Sequence, residues 1–141
     1  MTHLLDISIL LALVDKEHPF HKRAFNWFHS HLQLSWCTCP ITENGFVRVI
    51  SLPSYGYGQL SVNLARETLT ALCAQPGHQF WPDNLSIREI SQIPEIPGPK
   101  AITDLYLLAL AVKNKGKFAS LDSKIDPTLI PGGTQAFQLV D

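Results

Sequence analysis

Asp6, Glu43, Asp104 and Asp122 each adjoin an apolar segment with the composition of protein core, and each falls where a strand would end or a helix would begin. Ionised carboxylates are seldom buried unless they are paired or bind a cation. Four acids in such positions point to a divalent metal, since their convergence without one would cost several kcal/mol of like-charge repulsion. A set of oxygen donors with neither cysteine nor histidine suits Mg²⁺ or Mn²⁺. Such ions commonly serve phosphate esters: one activates water while a second, about 4 Å away, stabilises the leaving oxygen. Phosphodiester hydrolysis is the chemistry this pattern suggests.

Taken singly, each acid also has an ordinary structural reading. Glu43 and Asp104 suit the first turn of a helix, where they complement the dipole, and Asp122 before Ser123 could open a turn. Asp6 is the hardest to assign this way, because Leu4, Leu5, Ile7 and Ile9 surround it without a basic neighbour.

The elements that must position these acids follow from the hydrophobic pattern. His3 to Leu5 reads as a short buried strand ending at Asp6, followed by a helix from about Ser8 to Val14. A second helix runs from Pro19 to about Leu32, with Phe20, Ala24, Trp27 and Phe28 at helical spacing. Leu34 to Thr38 is the next strand, and Pro40 opens a helix that carries Glu43 and ends before Pro53. A Ser-Tyr-Gly-Tyr-Gly loop over 54–58 precedes an amphipathic helix marked by Val62, Ala65, Leu69, Leu72 and Cys73. Gln79 to Trp81 reads as a strand, and Gln92 to Lys100, with three prolines, as irregular. Thr103 is the expected cap of the following helix, with Ile102 and Leu107 as a hydrophobic staple. Phe118 to Leu121 then forms a strand ending at Asp122, and Ala136 to Val140 a last one. Short apolar strands alternating with helices imply a parallel sheet covered on both faces, whose carboxyl edge is where ligands bind.

At 141 residues the chain fits one domain, and 45% hydrophobic with 16% charged residues is a globular, rather apolar composition. Eleven Lys plus Arg against twelve Asp plus Glu give a net charge of −1, so whole-chain charge does not advertise a nucleic-acid binder. Any phosphate-bearing substrate must be argued from the site. The apolar run from Ile7 to Val14 is too short to span a bilayer and lacks a basic leader, which predicts a cytoplasmic protein away from membranes. Three cysteines, Cys37, Cys39 and Cys73, with no C-x-x-C, read as buried free thiols rather than a disulfide framework or a zinc site.

Other residues invite a functional reading. The His18/His21 and His29/His31 pairs show no metal-ligand pattern with nearby Cys or acid. Trp27, Trp36 and Trp81 read as core or interface. Tyr55 and Tyr57 are candidates for stacking on unpaired bases, against the plainer reading of a solvent loop. Arg48, one and a half turns beyond Glu43, cannot share its side of the helix and could face solvent, phosphate or a partner. Lys113, Lys115 and Lys117 suit a helix C-terminus.

Four blocks around the acids carry a family resemblance: Leu4-Leu5-Asp6-Ile7-Ser8-Ile9-Leu10-Leu11-Ala12-Leu13, Pro40-Ile41-Thr42-Glu43-Asn44-Gly45-Phe46-Val47-Arg48-Val49, Thr103-Asp104-Leu105-Tyr106-Leu107-Leu108-Ala109-Leu110-Ala111 and Phe118-Ala119-Ser120-Leu121-Asp122. In this order they resemble the motifs of PIN-domain ribonucleases, and more narrowly VapC-type toxins of bacterial toxin–antitoxin pairs, over nearly the whole chain, 1–141. The resemblance implies a three-layer α/β/α sandwich with a central, mostly parallel sheet, and a Mg²⁺- or Mn²⁺-dependent endoribonuclease. It implies Asp6, Glu43, Asp104 and Asp122 as the acidic site, with Asp6 and Asp104 foremost as metal ligands. Ser8 stands where many relatives have Asn as a supporting polar group, and Thr103 could reach the metal's water shell besides capping. The implied partners are an RNA substrate, a cognate antitoxin and a second copy of the chain. Two other functions compete. An aspartyl phosphatase of the haloacid-dehalogenase type would need a second Asp where this chain has Ser8, and a PIN-like scaffold that binds without cutting would have lost an acid that this chain retains.

Overall fold

The computed structural model describes residues 1–31, 35–90 and 95–141. Its sheet has five strands, β1 (His3–Leu5), β2 (Trp36–Thr38), β3 (His78–Phe80), β4 (Lys117–Ser120) and β5 (Phe137–Leu139), in the order β3-β2-β1-β4-β5. Every pairing is parallel, and the central strands β1, β2 and β4 are largely buried while the edge strands β3 and β5 are not. Helices α1 (Ile7–Val14), α2 (His21–His31), α3 (Pro40–Ile50), α4 (Val62–Cys73), α5 (Ile102–Lys113) and the short α6 (Gly133–Ala136) make the connections.

Successive strand residues point to opposite faces, and the core divides accordingly. Leu4, Cys37 and Phe118 pack with the almost wholly buried α5. Leu5, Trp36 and Ala119 pack with Ile9, Leu10, Phe28, Phe46 and Ala65 from α1 to α4. The sheet is therefore sandwiched between two helical layers, the α/β/α arrangement. Among the described residues no helix is long and apolar enough to cross a membrane.

Local chemistry sets the element starts. Pro40 occupies the first turn of α3, where Thr42 Oγ1 accepts from Cys39 N at 3.0 Å, and Ser61 caps α4 by accepting from Leu64 N at 3.1 Å. Three expectations shift. The third strand lies one residue earlier, at His78–Phe80. The fourth ends at Ser120, leaving Asp122 in the turn beyond it. The third correction concerns Thr103: α5 begins at Ile102 after Ala101, because the turn that closes with Ala101 N bonding Gly98 O is already right-handed and winds straight into the helix. Thr103 thus sits inside the first turn without a capping bond, and the Ile102–Leu107 staple loses its premise. The expected helix end at Leu32, strand start at Leu34 and residues Gln92 to Pro94 lie outside the described residues. The remainder of the proline-rich stretch, 95–100, is irregular as expected.

Candidate active site

In the order β3-β2-β1-β4-β5 the chain leaves β1 toward one layer and approaches β4 from the other, so a crevice opens beyond their carboxyl ends. Such a switch point is where open parallel sheets bind ligands. Asp6 and Asp122 follow these two strands.

Asp6 is buried, 6% exposed, and caps α1. Its Oδ1 accepts from Ile7 N at 2.7 Å, and its Oδ2 accepts from Ser120 Oγ at 2.6 Å and Ser8 Oγ at 3.3 Å. Burial nonetheless pushes its carboxyl above the usual range; the three donors oppose that shift and the Asp122 charge adds to it. Asp104, in the first turn of α5, is half-buried and pushed up to about 6, by burial first and then by the charges of Asp6 and Asp122. Asp122 is exposed; its Oδ1 accepts from Lys124 N at 2.9 Å and its own N–H donates to Ser120 Oγ at 3.0 Å. Asp104 and Asp122 line a cleft of about 390 Å³ with apolar walls from Leu105, Ile125 and Leu129, and Lys100 and Lys124 on its rim.

Three of the four expected acids are thus brought together, and the expectation that all four share one pocket is corrected. Glu43 is turned to another neighbourhood. Its Oε2 accepts from Thr38 Oγ1 at 2.6 Å, the same hydroxyl lies 2.8 Å from His78 Nε2, and ligand atoms of Glu43, Cys73 and His78 all fall within 4.8 Å of one another. The geometry follows from helical phase: the side of α3 nearer Asp6 carries Asn44 and Arg48, which line a second cleft with Ile7 and Thr103. The separate sides inferred for Glu43 and Arg48 hold. Sequence reading, which saw no metal-ligand pattern among Cys and His, missed this cluster. The signal was Cys73 and His78 five positions apart around Pro76-Gly77.

Ser120 was also missed. It is fully buried and couples Asp6, Ser8 and the Asp122 backbone; a hydroxyl set between Ala119 and Leu121 in an apolar stretch was the clue. Tyr55 and Tyr57 lie at the far end of α1 from Asp6. Tyr55 donates its hydroxyl to Asp15 Oδ2 at 2.8 Å, and Tyr57 packs edge-on against it, at a ring separation of 5.5 Å. Lys113 pairs with Glu89 at 3.6 Å and bonds Asn84 O, which supports its structural reading.

The three clustered carboxylates fit a divalent cation. They offer only oxygen donors, and a cation would offset both the burial and the neighbouring charges that raise Asp104. The PIN domain family model matches residues 3–128. The chain is 42% identical over 137 residues to ribonuclease VapC44 of Mycobacterium tuberculosis, covering 96% of each protein. It is 37% identical over 122 residues to ribonuclease VapC38 of the same species, covering 86% of each. The fold matches the crystal structure of VapBC2 from Rickettsia felis bound to a DNA fragment from their promoter, with a TM-score of 0.62 over the full length of both chains at 11% identity. PIN membership implies use of a divalent metal. The chain belongs to the PIN-domain family and, within it, to the VapC ribonucleases.

Proposed function

We propose that this chain, residues 1–141 acting as one PIN-like unit, hydrolyses phosphodiester bonds within RNA using Mg²⁺ or Mn²⁺ held by Asp6, Asp104 and Asp122, and that it is the toxin of a toxin–antitoxin pair. The observation that carries the reading is the coupling of these three carboxylates in one crevice, with Lys100 and Lys124 on the rim of the adjoining cleft. Carboxylates suit a hard cation, and the two ammonium groups suit the phosphate backbone on either side of the scissile bond. The VapC44 and VapC38 relatives, named as ribonucleases, support the same chemistry.

When bound, such an ion supplies charge neutralisation and water activation. The chain's own residues do the rest. Ser120 and Ser8 donate to Asp6 Oδ2 and fix the carboxylate that lies deepest. Asp104, pushed up to about 6, holds a proton at acid pH that a cation must displace, so metal affinity rises with pH. In the reaction a water oxygen bonds phosphorus, one bridging P–O bond breaks, and the departing oxygen takes a proton. Glu43 stays outside this group, and its Thr38 and His78 contacts make it a poor candidate for the same ion.

The partner of the solved VapBC2 complex supports a cognate antitoxin here, and a protein of this kind would act in the cytoplasm. A homodimer is supported by apolar surface left on and beside α2: Phe20 is 42% and Phe25 44% exposed, while Phe28 is buried. Purified protein incubated with single-stranded RNA is expected to yield internal cuts with Mg²⁺ or Mn²⁺ and none in excess EDTA. Intact RNA that still binds would favour the non-cutting scaffold instead. Phosphate released from a small monoester, with RNA left whole, would favour a phosphatase.

A further inference from the structure

Glu43, Cys73 and His78 reach one point from three elements: the first turn of α3, the last residue of α4 and the first of β3. All three are half-buried. The turn between Cys73 and His78 is tight, with Gly77 at φ 87°, a left-handed conformation that suits glycine. It brings thiol and imidazole back beside each other on the edge strand of the sheet.

Oxygen, sulfur and nitrogen donors in one cluster are unlike the all-carboxylate crevice. Mg²⁺ does not select thiolate and imidazole, whereas Zn²⁺ and its borderline neighbours do. In a tetrahedral zinc site adjacent ligand atoms stand about 3.6 Å apart, and here all three lie within 4.8 Å of one another, so rotation of these side chains by about an ångström closes the set. Thr38 already organises two of the ligands, through its contacts of 2.6 Å to Glu43 Oε2 and 2.8 Å to His78 Nε2. Burial lowers the pKa of the His78 imidazole, which favours the neutral form that a ligand needs, and raises that of the Cys73 thiol.

We propose that Glu43, Cys73 and His78 form a second metal site, selective for Zn²⁺ or a similar borderline ion, that clips the edge strand β3 and the end of α4 to α3. Binding exchanges the thiol proton of Cys73 for a metal–sulfur bond, the proton passing to solvent, and leaves one coordination position open to water. The site does not depend on the nuclease reading, because it shares no residue with the Asp6, Asp104 and Asp122 crevice.

Cobalt(II) is a spectroscopic probe for such a site in the metal-stripped full-length protein. The expected result is one ion per chain, with a thiolate-to-cobalt charge-transfer band that Zn²⁺ abolishes and millimolar Mg²⁺ does not. Cys73→Ser should remove the band, and His78→Ala should lower affinity about 100-fold, the upper end of what even supporting residues of a metal site contribute. Asp6→Asn should keep the full spectrum, whether or not that variant cuts RNA, so the fate of this site and that of the nuclease reading are scored separately. Absence of the charge-transfer band in the parent protein, or unchanged affinity in His78→Ala, would overturn the proposal. Should the variants fail to fold, alkylation of the native chain decides: protection of Cys73 by Zn²⁺ supports the site, and an unchanged labelling rate refutes it.

Discussion

One short helix carries a buried aspartate at each end. Asp6 precedes α1 and Asp15 follows it, about 12 Å away along an eight-residue helix, and they are 6% and 5% exposed. Each accepts three hydrogen bonds: Asp6 from Ile7 N, Ser8 Oγ and Ser120 Oγ, and Asp15 from Glu17 N, Tyr55 Oη and Gly58 N. By burial and by donor count the two are alike. The helix dipole even favours Asp6, which sits at the positive end, over Asp15 at the negative one.

What separates them is company. Asp15 meets a tyrosine hydroxyl and the backbone of a tight loop, and these hydrogen bonds close a connection between α1 and the segment after α3. Gly58 approaches so closely that a Cβ there would come within 2.5 Å of Asp15 Oδ1. Asp6 meets Asp104 and Asp122, whose charges oppose its own. The first arrangement is satisfied as it stands, and the second is relieved by a cation or, at acid pH, by a proton on Asp104. A buried carboxylate by itself therefore says little about function; a buried carboxylate facing other carboxylates says a good deal.

The largest expected effect breaks the functional end. Asp6→Asn should lower RNA cleavage about 1,000-fold, the scale of losing one preorganised charge interaction in an active site, without lowering the urea midpoint of the metal-free protein, because a repelling charge leaves with it. A variant that cleaves at the parental rate would remove Asp6 from the chemistry. The structural end should behave oppositely. Asp15→Ala leaves the Tyr55 hydroxyl and Gly58 N–H without their acceptor and should destabilise by about 2–3 kcal/mol in urea unfolding, while the cleavage rate per folded molecule holds. Loss of cleavage by fully folded Asp15→Ala would erase the contrast between the two ends.

Tyr55→Phe sharpens the same point with a smaller change, removing one donor and costing about 1 kcal/mol. Unchanged stability in this variant would mean that the hydrogen bond from Tyr55 to Asp15 contributes nothing to the fold. A further effect is in the pH profile. Asp104 has its folded value raised from 3.8 to about 6, so the stability it contributes is fully present below pH 3.8 and is lost as pH rises toward and through 6. Unfolding midpoints of the metal-free protein should decline over that window. The decline should shrink in Asp104→Asn and in the presence of saturating Mg²⁺, and a midpoint that rises across this window in the parent but not in Asp104→Asn would contradict the assigned sign.

Much of this was legible in the chain. Leu4 and Leu5 before Asp6, Pro40 at the start of α3 and the apolar body from Leu105 to Val112 announce strand, helix start and buried helix by short-range pattern alone, and the expected elements lie within a few residues of the observed ones. Thr103 failed as a cap because a turn ending at Ala101 had already begun the helix, a matter of backbone direction that residue type does not encode. Glu43 was rightly read as a first-turn acid on α3, yet which way its side chain points depends on the phase of α3 against β3 and α4.

By itself, then, the sequence determined the alternation of short apolar strands and helices, the carboxylates at their junctions and the parallel sheet that follows, because periodicity and cap chemistry act over a few residues. Tertiary structure alone decided the company each polar group keeps. Ser120 donates to Asp6 across 114 residues of chain, Tyr55 reaches Asp15 across 40, and Thr38 joins Glu43 to His78. Those contacts depend on strand order and on the face each helix turns to the sheet, which are settled by burying the whole apolar surface at once and not by any local run of residues.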